Sequence, residues 1–471
     1  MADQETPSPH FDDNTQTEQA ELYDRVTNSV EQLQDVLSQE LAESLHHPNA
    51  ISNRLTPPES LADSGLSQRL VRDLILKFVY LNGQLTGFEL AKRLHVPFSV
   101  IDEVLDFLKS DRCLEVHSGD MMGRISYRYQ LTEQGRARAR QAFDDCRYLG
   151  PAPVTLEQYA DVARQQSVRF VPISEEKFCG AFKGLVVHEE LIRMLGAAVA
   201  SGLSIFLYGP PGNGKTVIAR ALGRFLNEHG GNIFIPYSLV VDQHIITLFD
   251  PSIHSAVGVD QSSEWDQRWR VVKRPVVVSG GELTLGMLDL RTHSDGDVLT
   301  APLHIKANGG VFLLDDFGRQ LVDPRQLLNR WILPLEDRHD YLTLPTGKKF
   351  AIPFEQLILF STNIPPEDLV DQAFLRRIRH KIEVSYPSEE SYRQIFKLVC
   401  QQRDIKYDDW IVSHLLTNLY TPQIPPKSSD PRDLLDVIEG MCRFSGNRAH
   451  LSEELVCAAF QKCLGGPNVS H

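Results

Sequence analysis

The sequence contains no C-x-x-C pair, no internal repeat and almost no basic charge in its first 65 residues, where thirteen acidic side chains face two basic ones. Nor does any apolar run approach the ~20 residues that cross a bilayer, so membrane insertion is not expected. The seven cysteines (Cys113, Cys146, Cys179, Cys400, Cys442, Cys457, Cys463) are odd in number. Odd number and missing pairs argue against a disulfide scaffold and a structural zinc site, and a reducing cytoplasm is the expected compartment. An acidic, polar N-terminus does not read as a signal peptide. His244, His254, His293 and His304 show no ligand spacing and read as surface or core residues. What remains is 42% hydrophobic and 23% charged, an ordinary globular composition at a length of 471 residues that suits about three domains.

Against that background one segment stands out. Leu203-Ser204-Ile205-Phe206-Leu207-Tyr208 is an apolar run, and Gly209-Pro210-Pro211-Gly212-Asn213-Gly214-Lys215-Thr216 follows it, then Val217-Ile218-Ala219-Arg220. The octapeptide fits G-x-x-x-x-G-K-[ST] between a strand and a helix, the pattern of a P-loop. Its glycines let successive N–H groups and a helix N-terminus face one anion, the triphosphate of a nucleotide. Lys215 is expected to reach the β and γ phosphates, and the Thr216 hydroxyl to hold Mg²⁺.

About a hundred residues on, Gly309-Gly310-Val311-Phe312-Leu313-Leu314-Asp315-Asp316-Phe317 reads as a buried strand ending in two carboxylates, a Walker B element. Asp315 is expected to orient a water on Mg²⁺ and Asp316 to act as general base. Leu357-Ile358-Leu359-Phe360-Ser361-Thr362-Asn363 is another such strand ending in an amide, followed by Asp371-Gln372-Ala373-Phe374-Leu375-Arg376-Arg377-Ile378 and, later, by Asp430-Pro431-Arg432-Asp433.

Taken in that order, these motifs resemble the AAA+ ATPases from about Phe178 to the C-terminus. The resemblance implies sensor 1 at Asn363, a trans-acting arginine at Arg377 or Arg376, and sensor 2 at Arg432. It also places Gly184 and Leu185, in Phe182-Lys183-Gly184-Leu185, beside adenine. It implies ATP and Mg²⁺ as cofactors and a ring homo-oligomer, a hexamer, that remodels a protein partner. Arg268-Trp269-Arg270-Val271-Val272-Lys273-Arg274-Pro275 and Ser279-Gly280-Gly281-Glu282-Leu283 look most like bacterial ATPases described as having chaperone activity and associated with Flp pilus assembly. One departure matters: the family usually carries Asp-Glu where this chain has Asp315-Asp316, a base one methylene short, which predicts slow hydrolysis.

The expected fold is α/β: a parallel P-loop sheet flanked by helices, a C-terminal helical lid and an N-terminal winged helix-turn-helix-like domain. The boundaries are 1–65 for an acidic tail, an amphipathic helix (Leu22, Val26, Val30, Leu33, Leu37, Leu41, Leu45) and a linker; 66–145 for the winged helix; 146–177 for a second linker; 178–387 for the nucleotide-binding domain; and 388–471 for the lid. Ile205, Ile233–Tyr237, Val311 and Leu357 mark the expected strands of the sheet, and 240–303 is an insertion suited to subunit contact or a pore. In the winged helix, Thr86 is the expected cap of Gly87–Leu94. The third helix offers Asp102, Glu103 and Asp106 against Lys109, which favours protein docking. Arg136, Arg138 and Arg140 keep DNA as the alternative partner, and a nucleotide-gated adaptor with little hydrolysis is a third reading.

Overall fold

The computed structural model describes residues 55–118, 123–258, 265–292, 298–369 and 375–465. The helix expected over 18–45, most of the acidic tail, His293 and Asp371–Phe374 lie outside the described residues.

A central sheet of five parallel strands runs in the order Val276–Ser279, Val311–Leu314, Leu357–Thr362, Ile205–Tyr208 and His380–Glu383. Alternate residues of each strand feed opposite layers, as the two-residue period requires. Ile205 and Leu207 join Phe178, Leu222 and Phe225 in one layer, under the helices Glu189–Ser201 and Lys215–His229. Phe206 joins Phe317, Trp331 and Phe360 in the other, under the helix Pro324–Asp337. Helices on both sides explain why these strands read as continuous apolar runs.

The run Ile233–Tyr237 does not enter this sheet. Asn232–Pro236 instead pairs antiparallel with Trp269–Lys273, and the edge place in the sheet goes to Val276–Ser279, which begins directly after Pro275. An apolar run reports burial, and Ile233, Phe234 and Ile235 are indeed buried, but in a separate core with Tyr159, Trp269 and Leu299.

That separate core also reassigns the segment expected as a tether. Val154–Thr155 is an edge strand parallel to Ser238–Val241 in a second five-stranded sheet, which His244–Thr247, Leu299–Thr300 and Arg291–Thr292 complete. Helix Leu156–Gln165 follows, its N-terminus closed by a reciprocal Thr155–Gln158 capping box. The expected linker is packed here, with Tyr148, Ala152 and Val154 buried. The Lys77 ammonium, itself 2% exposed, ties this segment to the preceding domain through the carbonyls of Cys146 (2.5 Å) and Tyr148 (3.4 Å). The end of the first expected linker is packed too, with a short helix Leu61–Ser64 and a buried Leu55.

Residues 66–145 fold as helices Gln68–Asn82, Gly87–Leu94, Phe98–Ser110 and Glu133–Asp145 around a three-stranded antiparallel sheet, ordered Gln84–Thr86, Arg128–Leu131, Leu114–Ser118. Thr86 and Glu89 close a capping box, as expected of that cap. At the far end of the chain, helices Glu389–Gln402, Asp409–His414, Asp430–Phe444 and Glu453–Leu464 enclose a core of Tyr392, Phe396, Leu434, Ile438 and Phe460. No helix among the described residues is long and apolar enough to cross a membrane.

Candidate functional site

The loop Gly209–Gly214 leaves the carboxyl end of strand Ile205–Tyr208 and enters the helix Lys215–His229. Its backbone turns left-handed at Gly209 (φ 138°), Gly212 (φ 84°) and Gly214 (φ 84°). A Cβ on Gly209 would stand 2.3 Å from the Val384 carbonyl oxygen, so this position admits no side chain. Lys215 is 6% exposed, and its Nζ donates to the carbonyls of Gly209 (2.9 Å) and Pro210 (2.8 Å). Burial lowers the pKa of this ammonium, with Asp316 and Asp315 opposing the shift.

The two halves of the site meet at Thr216, whose Oγ1 donates to Oδ1 of Asp315 at 2.9 Å. Asp315 ends the strand Val311–Leu314, and its own N–H donates to the Ser279 carbonyl at 2.9 Å. Asp316 adopts φ 48°, a left-handed conformation costing a residue with a side chain about 1–2 kcal/mol. The surroundings enforce it. The Phe317 N–H donates to the Ser361 carbonyl at 2.7 Å, the Thr362 hydroxyl donates to the Phe317 carbonyl at 2.6 Å, and the Phe317 ring packs edge-on against Phe206 and Phe360. Held this way, Asp316 receives the Asn363 amide, Nδ2 to Oδ1 at 3.4 Å.

These groups open onto a cleft of about 880 Å³. Gly184, Leu185, Pro211–Val217, Asp316, Asn363 and Arg432 all line it, while Asp315 stands behind Thr216. Apolar side chains of Leu185, Met194 and Leu398 also line it. The helical domain closes over the loop: the Ser429 N–H donates to the Gly212 carbonyl at 2.8 Å, and the Ser428 N–H to Oδ1 of Asn213 at 3.2 Å. Sequence reasoning missed Ser428, Ser429 and Tyr386, which carry no motif and reach the cleft only through tertiary packing.

Arg376 and Arg377 are not in this cleft. They line a second cavity at the amino ends of the central strands, where Arg377 pairs with Glu336 at 2.6 Å and Arg376 is exposed. His304 is buried against Asp340 at 2.6 Å, His254 bonds backbone groups, and no metal-holding cluster occurs among the described residues.

An "AAA ATPase forming ring-shaped complexes" from Kocuria rhizophila is 25% identical to this chain over 297 residues. The chain is thus similar to AAA+ P-loop ATPases. The match covers 59% of this chain but only 37% of that relative. Residues 388–462 match a family model described as a domain of unknown function, DUF8689, which spans the helical C-terminal domain. Among solved structures, NtrX from Brucella abortus in complex with ADP overlaps 60% of the chain and 56% of its own length at 15% identity and a TM-score of 0.39. The AAA domain of FIGL-1 in complex with ADP overlaps 57% of the chain and 73% of its own at 16% identity and a TM-score of 0.30. Overlaps of that size decide nothing about the fold.

Proposed function

We propose that the cleft binds ATP and hydrolyses it, and that binding drives assembly of a ring that remodels a protein partner. The observation that carries this reading is the Thr216–Asp315 hydrogen bond of 2.9 Å, which joins the P-loop helix to an acidic strand end beside Asp316 and Asn363. Lys215 and the loop amides hold the phosphates, and the apolar side chains that line the cleft receive the base. Thr216 and Asp315 present the hydroxyl and carboxylate oxygens that suit Mg²⁺, which when bound neutralises charge on the phosphate oxygens. Asp316 takes the proton of the attacking water, and Asn363 orients both. Arg432, in the first turn of helix Asp430–Phe444, answers the phosphates from the helical domain.

Two features support the assembled form. Arg376 and Arg377 lie away from their own cleft, where a neighbouring subunit can borrow them. Glu336 already engages Arg377, so Arg376 is the freer of the two to act in trans. The relative's name describes ring-shaped complexes, and the same assembly, sixfold, is proposed here.

The N-terminal domain serves as the protein-docking module. Arg124 is spent on Asp102 (3.4 Å) and on Asp106, Arg138 on Asp111, and Arg140 on the Tyr80 hydroxyl (3.3 Å). The ion pairs of Arg124 and Arg138 reduce the positive charge this domain presents to a phosphate backbone, which counts against the DNA reading.

Sizing the purified protein with and without ATP and Mg²⁺, while following phosphate release, tests the proposal. An ATP-dependent large species is expected, with turnover lost in Lys215→Ala and in Arg376→Ala or Arg377→Ala. A monomer hydrolysing at full rate in all three variants contradicts it.

A further inference from the structure

The cavity that holds Arg376 and Arg377 has a composition that a borrowed arginine does not explain. It measures about 740 Å³ and is lined by Arg169, Arg338, Arg376, Arg377 and Arg379. Among the described lining residues the one carboxylate is Glu336, already paired with Arg377. Arg169 also pairs with the buried Glu355 at 3.6 Å, so five guanidinium groups against two carboxylates leave an excess of three positive charges in a partly enclosed space. Burial, with Arg169 adding to it and Glu355 opposing, holds the Arg338 pKa below its ordinary value.

A second observation points the same way. Gln356 is 2% exposed and lines this cavity, yet neither its amide nitrogen nor its amide oxygen has a hydrogen-bond partner. A buried amide left unsatisfied destabilises the fold, and such groups call for an explanation. One ligand resolves both problems. An oxyanion of several charges accepts from the planar forks of the arginines and from the Gln356 N–H, while the amide oxygen accepts from a guanidinium.

We propose that this cavity is a second anion site, which binds a phosphate-type polyanion independently of the P-loop. The strands are parallel, so the site sits at their amino ends whereas the P-loop leaves their carboxyl ends. The polyanion is a free polyphosphate.

The test uses the full chain carrying Lys215→Ala, which silences the P-loop, with pyrophosphate as the calorimetric probe. One saturable site is expected. Its affinity falls at least tenfold on Arg379→Gln and on Gln356→Leu, while the melting temperature of Gln356→Leu stays equal or rises. Absence of pyrophosphate heat overturns the inference, even if ATP-dependent self-association of the otherwise native chain weakens in both variants, as does pyrophosphate binding indifferent to both substitutions.

Discussion

The Ser429 N–H donates to the Gly212 carbonyl at 2.8 Å, so the helical C-terminal domain is fastened to the backbone of the P-loop itself. Whatever shifts that loop shifts the domain. Gly212 also adopts φ 84°, and a Cβ there would lie 2.8 Å from Ser429 Oγ. Gly212→Ala therefore meets backbone strain of about 1–2 kcal/mol and a contact that opens the cleft. ATP affinity measured by calorimetry is expected to fall about tenfold or more, with little change in melting temperature, because the strain sits in a loop and not in the core.

Asp316 is the proposed base, and its backbone is fixed by Phe317, Ser361 and Thr362, so its carboxylate has no freedom to reach further. A longer side chain on the same backbone supplies the missing reach. Asp316→Glu is expected to raise kcat about tenfold, since small misplacements of a reacting group cost on the order of that much or more. A steady-state phosphate-release assay checks it, and a rate unchanged or lowered by the substitution points to a switch that barely hydrolyses.

His254 carries a pH prediction. Its Nδ1 accepts from the Asp250 N–H (2.9 Å) and its Nε2 donates to the Lys306 carbonyl (2.8 Å), so the folded state holds the neutral ring. Burial keeps its pKa below 6.5, the hydrogen bond to Lys306 notwithstanding. Below pH 6.5 the unfolded chain takes up a proton that the folded chain refuses. Stability conferred by this group is thus complete above pH 6.5 and is lost as pH falls toward the folded-state pKa, by at most about 1.4 kcal/mol per unit. Urea melts from pH 7.5 to 5.5 should show a shallower pH slope in His254→Asn than in the native chain.

Arg274 is buried, and its guanidinium donates to the carbonyls of Gly230 (2.6 Å), Gln166 (2.8 Å) and Gly309. Burial lowers its pKa to about 10, so the charge persists at neutral pH. Arg274→Met leaves these carbonyls without a donor and is expected to destabilise the fold by about 3 kcal/mol or more in denaturant melts. Lysine is no remedy there, because one ammonium cannot reproduce the fork.

Much of this was legible in the chain itself. Local signals identified the P-loop at 209–216, the strands carrying Asp315 and Asn363, and the capped helix after Thr86, since each depends on residues adjacent in sequence. Three things were not legible, for one reason. Asn232–Pro236 and Val276–Ser279 are equally apolar, and only tertiary pairing decides which enters the central sheet. Val154–Thr155 is a strand only because Ser238–Val241 lies beside it. Ser428 and Ser429 reach the cleft through the fold of the helical domain, anchored by the buried Asp430, whose carboxylate accepts from the Tyr420 hydroxyl and the Lys427 N–H.

The central claim is that Lys215 and the loop around it form a triphosphate cradle served by Thr216 and Asp315. Titration calorimetry with ATP and Mg²⁺ on the native chain and on Lys215→Ala tests it most directly. The native chain should show saturable heat, with affinity at least a hundredfold above that of the variant. No heat for the native chain, or superimposable titrations for the two, contradicts the claim.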